Sequence, residues 1–336
     1  MVRVAVYGAS GYTGLELLKL LARHPEVEVS ALLTRQDDGP HVREVHPALG
    51  GAFDLKLEKL SPEQVSERAD AVFACLPHAA SAEVVSGLVD SGLKVIDLSA
   101  DYRLTDRGVY ENWYGVTHPD PARIGATPYG LPELYREAIR GASLVANPGC
   151  YPTAAILALA PLLKAGLIEA GGIVIDAKSG VTGAGRNPKP HLHFPESNEN
   201  CGPYGVGTHR HMPEIDQVLS DQAGGSVEVV FTPHLIPMDR GELCTCYAAP
   251  VGEADGAALQ SALCEYYRNE PFVDVVDAPP STKHVTGSNR CHVYATTVRG
   301  RAVVVSAIDN LIKGASGAAV QNFNLMHGIE ETTALL

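Results

Sequence analysis

The chain opens with a strand, a glycine-rich turn and a helix in immediate succession. Residues 2–7 are mostly valine and alanine and are typical of a buried strand. Gly8, Gly11 and Gly14 follow, and residues 15–22 have the dense apolar spacing of a helix. Glycines in such a turn let the backbone approach a pyrophosphate, which then rests on the helix N-terminus. This arrangement predicts a dinucleotide-binding α/β domain.

Strand and helix patterns continue to alternate through the first 150 residues. After the opening unit, strands are predicted at residues 27–33, 69–76, 94–98 and 142–146. Repeated strand–helix units predict a parallel, doubly wound sheet that binds ligands at the carboxyl ends of its strands. We therefore predict an α/β fold whose Rossmann domain comprises residues 1–148 and 310–336.

The pattern changes after residue 150, and 336 residues are long for a single hydrophobic core. Longer strands are predicted at residues 172–179, 226–232, 243–249, 291–298 and 302–308, with helices near 213–219 and 254–270. We assign residues 149–309 to a second, α+β domain with a mixed sheet. Its glycine-rich segment 180–186 is expected to be a flexible loop that can cover a cofactor.

The end of the second predicted strand indicates which dinucleotide binds. An acidic residue there accepts a hydrogen bond from the ribose 2′-hydroxyl of NAD, whereas an arginine accommodates the 2′-phosphate of NADP. The chain has Thr34 and Arg35 at this point. We therefore expect NADP, the alternative being that Arg35 is an ordinary solvated arginine.

Polar residues also follow the next two predicted strands. The residues at these strand ends are Pro77, His78, Ser99 and Arg103. Arg103 is the best candidate for an anion clamp, because a guanidinium group binds phosphate in a bidentate way. An ion pair of Arg103 with Asp101 or Asp106 is the alternative.

One cysteine lies in a tight turn between a predicted strand and a predicted helix. Pro148 and Gly149 make the turn, and Cys150 follows just before the apolar segment 154–160. The N–H groups at a helix start stabilise negative charge and can lower the pKa of a thiol. Cys150 is therefore a candidate nucleophile, the alternative being a small, inert buried cysteine.

Two His-x-His pairs occur in the second domain, at residues 191–193 and 209–211. Neither has a carboxylate or cysteine at a convincing companion spacing, so we expect no metal site. Pro213 suits the first turn of a helix, which puts His211 at the helix entrance with Glu214 close enough to orient its ring. His211 is a candidate acid/base partner of Cys150, and a surface helix-capping histidine is the alternative.

Charge and cysteine usage exclude several classes of protein. The net charge of -13 disfavours a nucleic-acid partner, although it does not exclude an anionic substrate. No apolar run reaches the ~18 residues of a membrane span, and no signal-peptide pattern is evident. Seven scattered cysteines without a Cys-x-x-Cys pair suit the reducing cytoplasm. We expect a cytoplasmic protein without a membrane partner.

Taken together, these motifs resemble the N-acetyl-gamma-glutamyl-phosphate reductase family of arginine biosynthesis. The matching segments are residues 8–14, 76–78, 98–103, 147–153, 179–186, 209–211 and 309–314. The cysteine turn and the last segment also resemble aspartate-semialdehyde dehydrogenase. The resemblance implies NADPH-dependent reduction of N-acetyl-L-glutamyl 5-phosphate to the 5-semialdehyde and phosphate, through a thioester on Cys150. It also implies that the second domain makes the contact of a homodimer or homotetramer.

The resemblance also implies roles for individual residues. Cys150 becomes the nucleophile, His211 the acid/base and Glu214 a supporting residue. The expected substrate-binding residues are Arg103, Asn147, Ser179 and His209. The expected NADP-binding residues are Gly8, Ser10, Gly11, Tyr12, Thr13, Gly14, Thr34, Arg35, Pro77, Ser99, Gly180, Gly183, Asn310 and Lys313.

Three other functions are compatible with parts of the pattern. Short-chain dehydrogenases and epimerases also open with this glycine spacing, but they need a Tyr-x-x-x-Lys pair that none of the thirteen tyrosines provides. A reductase of carrier-protein-bound aminoadipyl phosphate in lysine biosynthesis would favour a basic docking face, and the acidic chain weighs against it. A nicotinamide-binding sensor without catalytic activity would keep the same fold.

Overall fold

The computed structural model describes residues 1–35 and 39–336, and these form two compact units. The first comprises residues 1–148 and 315–336, and the second comprises residues 149–314. Our sequence division assigned residues 310–314 to the first domain, whereas here they belong to the second unit. Two contacts explain this: the Asn310 side chain accepts a hydrogen bond from the Gly241 backbone, and Gly314 packs directly against Cys150.

The first unit is built on a six-stranded sheet. Its strands β1 to β6 are Val2–Tyr7, Val27–Leu33, Leu57–Glu58, Ala71–Ala74, Lys94–Asp97 and Leu144–Ala146. All neighbouring strands are parallel, in the order β3-β2-β1-β4-β5-β6. The predicted doubly wound Rossmann sheet is therefore confirmed. In this order the topology reverses between β1 and β4, which is where such sheets bind dinucleotides.

Helices of the first unit connect these strands and cover the sheet. They are α1 Tyr12–Leu21, α2 Val42–Val45, α3 Pro62–Arg68, α4 Ala82–Asp90, α5 Arg107–Tyr114 and α6 Pro132–Ile139, and α11 at Gly317–Met326 returns from the far end of the chain. Short helical turns lie at Pro47–Leu49 and at Ile312–Ser316, and the second of these contains the chain boundary between residues 314 and 315. Residues 107–132, which had no sequence assignment, contribute α5, whose N-terminus is capped by the Asp106 side chain.

The second unit contains a mixed seven-stranded sheet, as predicted. Its strands are β7 Val174–Gly180, β8 Gly202–Pro203, β9 Val230–Ile236, β10 Glu242–Ala248, β11 Val273–Val275, β12 Cys291–Val298 and β13 Arg301–Ile308. They lie in the order β11-β12-β13-β10-β7-β9-β8. Within the described strands of this second sheet, the β11–β12 and β7–β9 pairs are parallel and the other pairs are antiparallel.

The strand predicted at 226–232 was placed too early, since β9 spans Val230–Ile236 and continues through Pro233. Proline cannot donate a ladder hydrogen bond and is tolerated mainly at a sheet edge. The neighbouring β8 is only two residues long, so most of β9 is such an edge. Pro233 still accepts a hydrogen bond from the Tyr204 backbone at 3.0 Å.

Helices of the second unit are α7 Cys150–Lys164, α8 Phe194–Ser197, α9 Met212–Ala223 and α10 Gly256–Tyr266. Helix α7 is buried from Tyr151 to Leu163, because it packs on β10, β12 and β13 and also against α9 and α10. Its apolar residues surround the helix, as expected for a fully enclosed one. Further short turns lie at Val181–Ala184, Pro190–Leu192 and Thr282–His284.

Candidate active site

The glycine turn of the first unit has the shape needed to hold a pyrophosphate. Gly8 has a φ of +71°, and a Cβ there would lie 2.1 Å from the Cys75 carbonyl oxygen. A Cβ on Gly14 would lie 2.6 Å from the Gly8 carbonyl oxygen. At Gly11 the nearest atom would be 3.6 Å away, so a side chain would enter the open cradle instead of striking the protein. Gly11 caps α1 without a side chain, which leaves the N–H groups of Tyr12 and its neighbours for an anion.

The remaining turn and strand-end residues lie in the same unit. Ser10 is exposed, and the Thr13 carbonyl accepts a hydrogen bond from Ser316 at 2.8 Å. The Thr34 backbone donates to the Glu58 carbonyl at 3.0 Å at the end of β2. Arg35 donates to the Ala80 carbonyl at 3.1 Å, and its side chain is 43% exposed. The Arg35 guanidinium therefore remains accessible to a ligand phosphate.

The carboxyl ends of β4 and β5 are joined by a buried polar network. Asp97 accepts hydrogen bonds from the hydroxyls of Ser81 (2.8 Å) and Ser99 (2.6 Å). Burial raises the pKa of Asp97 to about 6, although the Ser99 hydrogen bond opposes this. The Ser99 side chain is therefore used inside the protein, whereas Pro77 is exposed.

Arg103 and Asn147 are both almost completely buried in the first unit. The Arg103 guanidinium donates from Nε to the Asn147 carbonyl (2.8 Å) and from Nη2 to the Leu98 carbonyl (2.9 Å). The Asn147 side chain donates to the Ala315 carbonyl (3.2 Å) and accepts from Asn322 (3.0 Å). Internal bonds thus hold the Arg103 guanidinium and use both ends of the Asn147 amide.

Cys150 is the first residue of α7, directly after the N-cap Gly149. The Gly149 backbone N–H donates to Glu214 Oε1 at 2.9 Å. Glu214 is only 1% exposed and lies in the first turn of α9. The buried Glu214 side chain therefore holds the backbone of the cysteine turn through this hydrogen bond.

His211 lies at the N-cap of α9, and its ring faces the same turn. A Cβ added to Gly149 would be 2.4 Å from His211 Nε2 and 2.8 Å from both adjacent ring carbons. The imidazole thus occupies the space beside the residue that precedes Cys150. The three predicted catalytic residues lie together in the second unit.

His209 lies beside His211 within a group of aromatic rings. The two imidazole centroids are 4.8 Å apart, and the His211 backbone N–H donates to His209 Nδ1 at 3.2 Å. The rings of Tyr151, Tyr204 and Phe231 pack edge-on around His209. Burial and the charge of Arg210 lower the pKa of His209 to about 4. At neutral pH His209 is therefore a neutral hydrogen-bonding group and supplies no positive charge.

The other predicted ligand-binding residues of the second unit take part in its internal bonding. The Ser179 hydroxyl donates to the Gly180 carbonyl at 3.1 Å. A Cβ on Gly183 would lie 2.8 Å from the Ser179 hydroxyl oxygen, so there is no room for a side chain at that position. Asn310 donates to the Thr182 hydroxyl at 3.1 Å while accepting from the Gly241 backbone at 2.8 Å. Lys313 is fully buried, with Nζ 5.6 Å from the centroid of the Phe272 ring.

The segment expected to be a flexible loop is a helical turn, Val181–Ala184. The backbone N–H of Val181 donates to the Met238 carbonyl at 2.9 Å. The Thr182 hydroxyl donates to the Asp239 carbonyl at 2.6 Å. These bonds attach the turn to the loop that precedes β10.

Glu242 is a potential site residue that the sequence interpretation missed. It begins β10, is fully buried, and lies close enough to Cys150 to interact with its thiol. Burial raises the pKa of Glu242 to about 8, and the contact with Cys150 opposes that rise. The strand pattern contained a signal, because Glu242, Cys244 and Cys246 alternate onto one buried face.

Within residues 1–35 and 39–336, no group of three or more histidine, cysteine, aspartate or glutamate side chains is placed to hold a metal ion. Over the same residues, no helix combines the length and apolar character that crossing a bilayer requires.

Two family models match the chain. Residues 3–142 match the NAD binding domain of semialdehyde dehydrogenase, and residues 150–310 match its dimerisation domain. The first unit is therefore an NAD(P)-binding domain. Among curated relatives, N-acetyl-gamma-glutamyl-phosphate reductase of Rhodopirellula baltica is 51% identical over 340 residues, covering 100% of this chain and 98% of the relative. The reductase of Geobacter metallireducens is 52% identical with the same coverage. The resemblance inferred from the motifs is confirmed.

Solved structures with the same fold have much lower sequence identity. Aspartate semialdehyde dehydrogenase II of Vibrio cholerae, complexed with ASA, has a TM-score of 0.73 at 18% identity, over 97% of this chain and 98% of the other. Aspartate semialdehyde dehydrogenase of Candida albicans with NADP has a TM-score of 0.70 at 16% identity, with the same coverage. At such identities the likeness concerns the fold alone.

Proposed function

Because this chain belongs to the N-acetyl-gamma-glutamyl-phosphate reductase family, we propose that it reduces N-acetyl-L-glutamyl 5-phosphate with NADPH. The products are N-acetyl-L-glutamate 5-semialdehyde and inorganic phosphate, and the enzyme is a phosphorylating aldehyde dehydrogenase. The observation that carries this proposal is the meeting of Cys150, His211 and Glu214 at the start of α7. A thiol at a helix N-terminus, beside an imidazole, is suited to covalent attack on an acyl group.

In the proposed reaction, the Cys150 thiolate attacks the carbonyl carbon of the acyl phosphate. An S–C bond forms, and the C–O bond to phosphate breaks, so that phosphate departs with the electron pair. The resulting thioester carbonyl is poorly stabilised by resonance and accepts hydride readily. After reduction, collapse of the tetrahedral intermediate expels the aldehyde and regenerates the thiolate.

His211 and Glu214 support this chemistry in different ways. The His211 ring can move a proton at the substrate oxygen, or hold the developing oxyanion through its N–H. Glu214 acts as a positioning residue in this scheme. It positions the turn by accepting the Gly149 N–H at 2.9 Å, and its burial keeps that bond out of water.

The glycine turn fits a dinucleotide, as the open cradle at Gly11 indicates. We propose that Gly8, Gly11 and Gly14 hold its pyrophosphate and that Arg35 binds the 2′-phosphate of NADP. The half-exposed Arg35 guanidinium at the end of β2 supports NADP over NAD. When bound, the reduced nicotinamide supplies the hydride.

We propose a homodimer or homotetramer built through the second unit. On strands β7, β10 and β13, one set of alternating residues is buried, on β10 and β13 against α7, and the other set remains at least partly exposed. This more exposed set includes Tyr247, Val303 and Val305 together with the ion-paired Asp176 and Lys178. The apolar residues on this mixed face favour a subunit contact. Sedimentation equilibrium tests this, and a monomer at micromolar concentration would refute it.

We also place the protein in the cytoplasm. All seven cysteines are present as thiols, including the exposed Cys201 and Cys264, which suits a reducing compartment. Fractionation of cells with an antibody against the protein tests this location, and recovery in a secreted fraction would contradict it.

Replacing the nucleophile tests the proposed function. Cys150→Ser should bind NADPH as the wild type does but lose reduction of N-acetylglutamyl phosphate by at least about a thousandfold, because the serine hydroxyl remains protonated. The reverse reaction, phosphate-dependent reduction of NADP by the semialdehyde, supplies a convenient absorbance assay. Carrier-bound aminoadipyl phosphate is measured in parallel, and a preference for it would overturn the substrate assignment. Substantial turnover by Cys150→Ser would overturn the thioester route.

A further inference from the structure

Glu242 is a buried carboxyl group at the edge of the cysteine site, with few partners. Its side chain has no solvent exposure, although it begins a strand. Neither carboxyl oxygen accepts or donates a full hydrogen bond in the described part of the chain, and the Cys150 thiol is among the groups that interact with it. A buried carboxyl group with so little hydrogen bonding is costly unless it is neutral or has a function. The proposed reaction assigns no step to Glu242.

The sheet register explains how Glu242 reaches Cys150. Glu242 pairs directly with Ile308 on β13. A Cβ on Gly314 would lie 2.7 Å from Cys150 Cβ and 3.3 Å from Ile308 Cδ1, so Cys150 and Ile308 flank the same backbone position. The Ser306 hydroxyl on β13 donates to the carbonyl of Ala154, one turn along α7, at 2.7 Å. The start of α7 is therefore fixed over the strand ends where Glu242 lies.

We propose that Glu242 is a catalytic residue that shares one proton with the Cys150 thiol and keeps the nucleophile ionised without adding charge to the site. The thiol S–H bond breaks as the proton passes to a carboxylate oxygen, and an O–H bond forms. The product of this transfer is a thiolate that accepts a hydrogen bond from a neutral carboxylic acid. A charge-assisted bond of this type is stronger than one between neutral groups.

Because Glu242 takes the thiol proton, His211 can act on the substrate oxygen instead. When the tetrahedral intermediate collapses, the sulfur leaves as a thiolate, and the same carboxylic acid stabilises it again by its O–H. No proton is gained or lost by the pair through the cycle, so the balance of the proposed reaction is unchanged. The free pair carries one negative charge instead of two, and none while the sulfur is held in the thioester, which suits a site that must also admit an anionic acyl phosphate.

The surroundings of Glu242 favour its protonated form. The titratable groups that interact with it are Cys150 and Tyr151 of α7, Tyr204 before α9, and Cys244 on its own strand. None of these is a cation, and burial raises the pKa of Glu242 to about 8. Ionisation above that pH places a second negative charge beside the sulfur. The site should then hold the anionic substrate less well.

The inference rests on Cys150 being the nucleophile of the proposed function, but its test needs neither substrate nor cofactor. The rate of Cys150 alkylation by iodoacetamide is measured from pH 5 to pH 10, about five pH units that bracket an ordinary thiol pKa. Peptide mass spectrometry scores Cys150 separately from the exposed Cys201 and Cys264. Wild type is compared with Glu242→Gln, which keeps the shape and a donor but cannot accept the proton.

Wild type should show two steps in its rate, because the pair loses two protons in sequence. Glu242→Gln should show a single step. Glu242→Met has similar length and no donor, so its alkylation rate at neutral pH should be about tenfold lower than that of Glu242→Gln. The matched control is Asp216→Asn, which changes another carboxyl with a raised pKa in the same unit and should keep both steps.

Superimposable profiles for wild type and Glu242→Gln would overturn the proposal, and so would a second step that survives in Glu242→Gln. Circular dichroism establishes whether each variant is folded. If Glu242→Gln does not fold, the comparison of Glu242→Met with wild type decides the question. Failure of the substrate assay would remove the proposed function without altering these profiles. The two failures are therefore distinguishable.

Discussion

A single methyl group at Gly149 should disable the enzyme without unfolding it. Gly149 has φ −72° and ψ 158°, a conformation that alanine adopts without strain. The space around it is the constraint, because the added Cβ would lie 2.4 Å from His211 Nε2. Ordinary contact distances are about 3.5 Å, so the ring must retreat by about 1 Å. Gly149→Ala therefore moves the His211 ring, the proposed acid/base, and little else.

A misplacement of about 1 Å at a reacting group costs on the order of a hundredfold in rate, or about 2.7 kcal/mol of transition-state stabilisation. Folding should not suffer equally, since replacing glycine by alanine at an unstrained position reduces the entropy of the unfolded chain. We expect kcat/KM of Gly149→Ala to fall by about a hundredfold. The thermal unfolding midpoint should change little.

The assay is the reverse reaction, followed by NADPH absorbance, on four proteins in a double-mutant cycle. They are wild type, Gly149→Ala, His211→Ala and the double variant. Because the damage passes through the ring, adding Gly149→Ala to His211→Ala should cost almost nothing. Gly171→Ala is the matched control, since no atom lies within 4 Å of a Cβ there. A hundredfold loss that persists in the His211→Ala background would refute the reasoning.

Two further predictions concern the first unit. Arg35→Asp should raise KM for NADPH by about tenfold and leave KM for NADH nearly unchanged, because the guanidinium is assigned to the 2′-phosphate; equal effects on both would refute that assignment. Burial raises the pKa of Asp97 from 3.8 to about 6, so its protonated form stabilises the fold at low pH and this contribution is lost as pH rises through about 4 to 6. The free energy of unfolding of Asp97→Asn should therefore rise relative to that of wild type between pH 4.5 and pH 7, by up to about 3 kcal/mol in urea unfolding. A difference between the two proteins that stays constant over this pH range would contradict the prediction.

Much of the fold was predictable because its signals are local. The strand Val2–Tyr7, the turn at Gly8 and the strand Val27–Leu33 follow from apolar runs and glycine positions within a few residues of one another. The parallel order of the first sheet follows from repeated strand–helix units. The predicted strand 226–232 stopped short of the end of β9, because a proline such as Pro233 is locally unfavourable in a strand and its tolerance depends on a neighbouring strand only two residues long.

The site residues also divide into those that local sequence predicts and those that only tertiary packing positions. Cys150 was identifiable because its turn and helix start are contiguous in the chain. The burial of Arg103 and the two carbonyls that hold its guanidinium were not predictable, because Leu98 and Asn147 follow different strands. The low pKa of His209 likewise depends on rings brought from Tyr151, Tyr204 and Phe231.

The sequence by itself determined the two-domain plan, the dinucleotide turn and a cysteine placed at a helix start, since backbone propensity and hydrophobic period act over short stretches of chain. Only the tertiary structure decided what surrounds that cysteine. His211 comes from the start of α9 and Glu242 from the start of β10, and both meet α7 through packing and sheet register. Desolvation then sets the protonation of Glu242, and desolvation exists only once the separate segments have closed around the group.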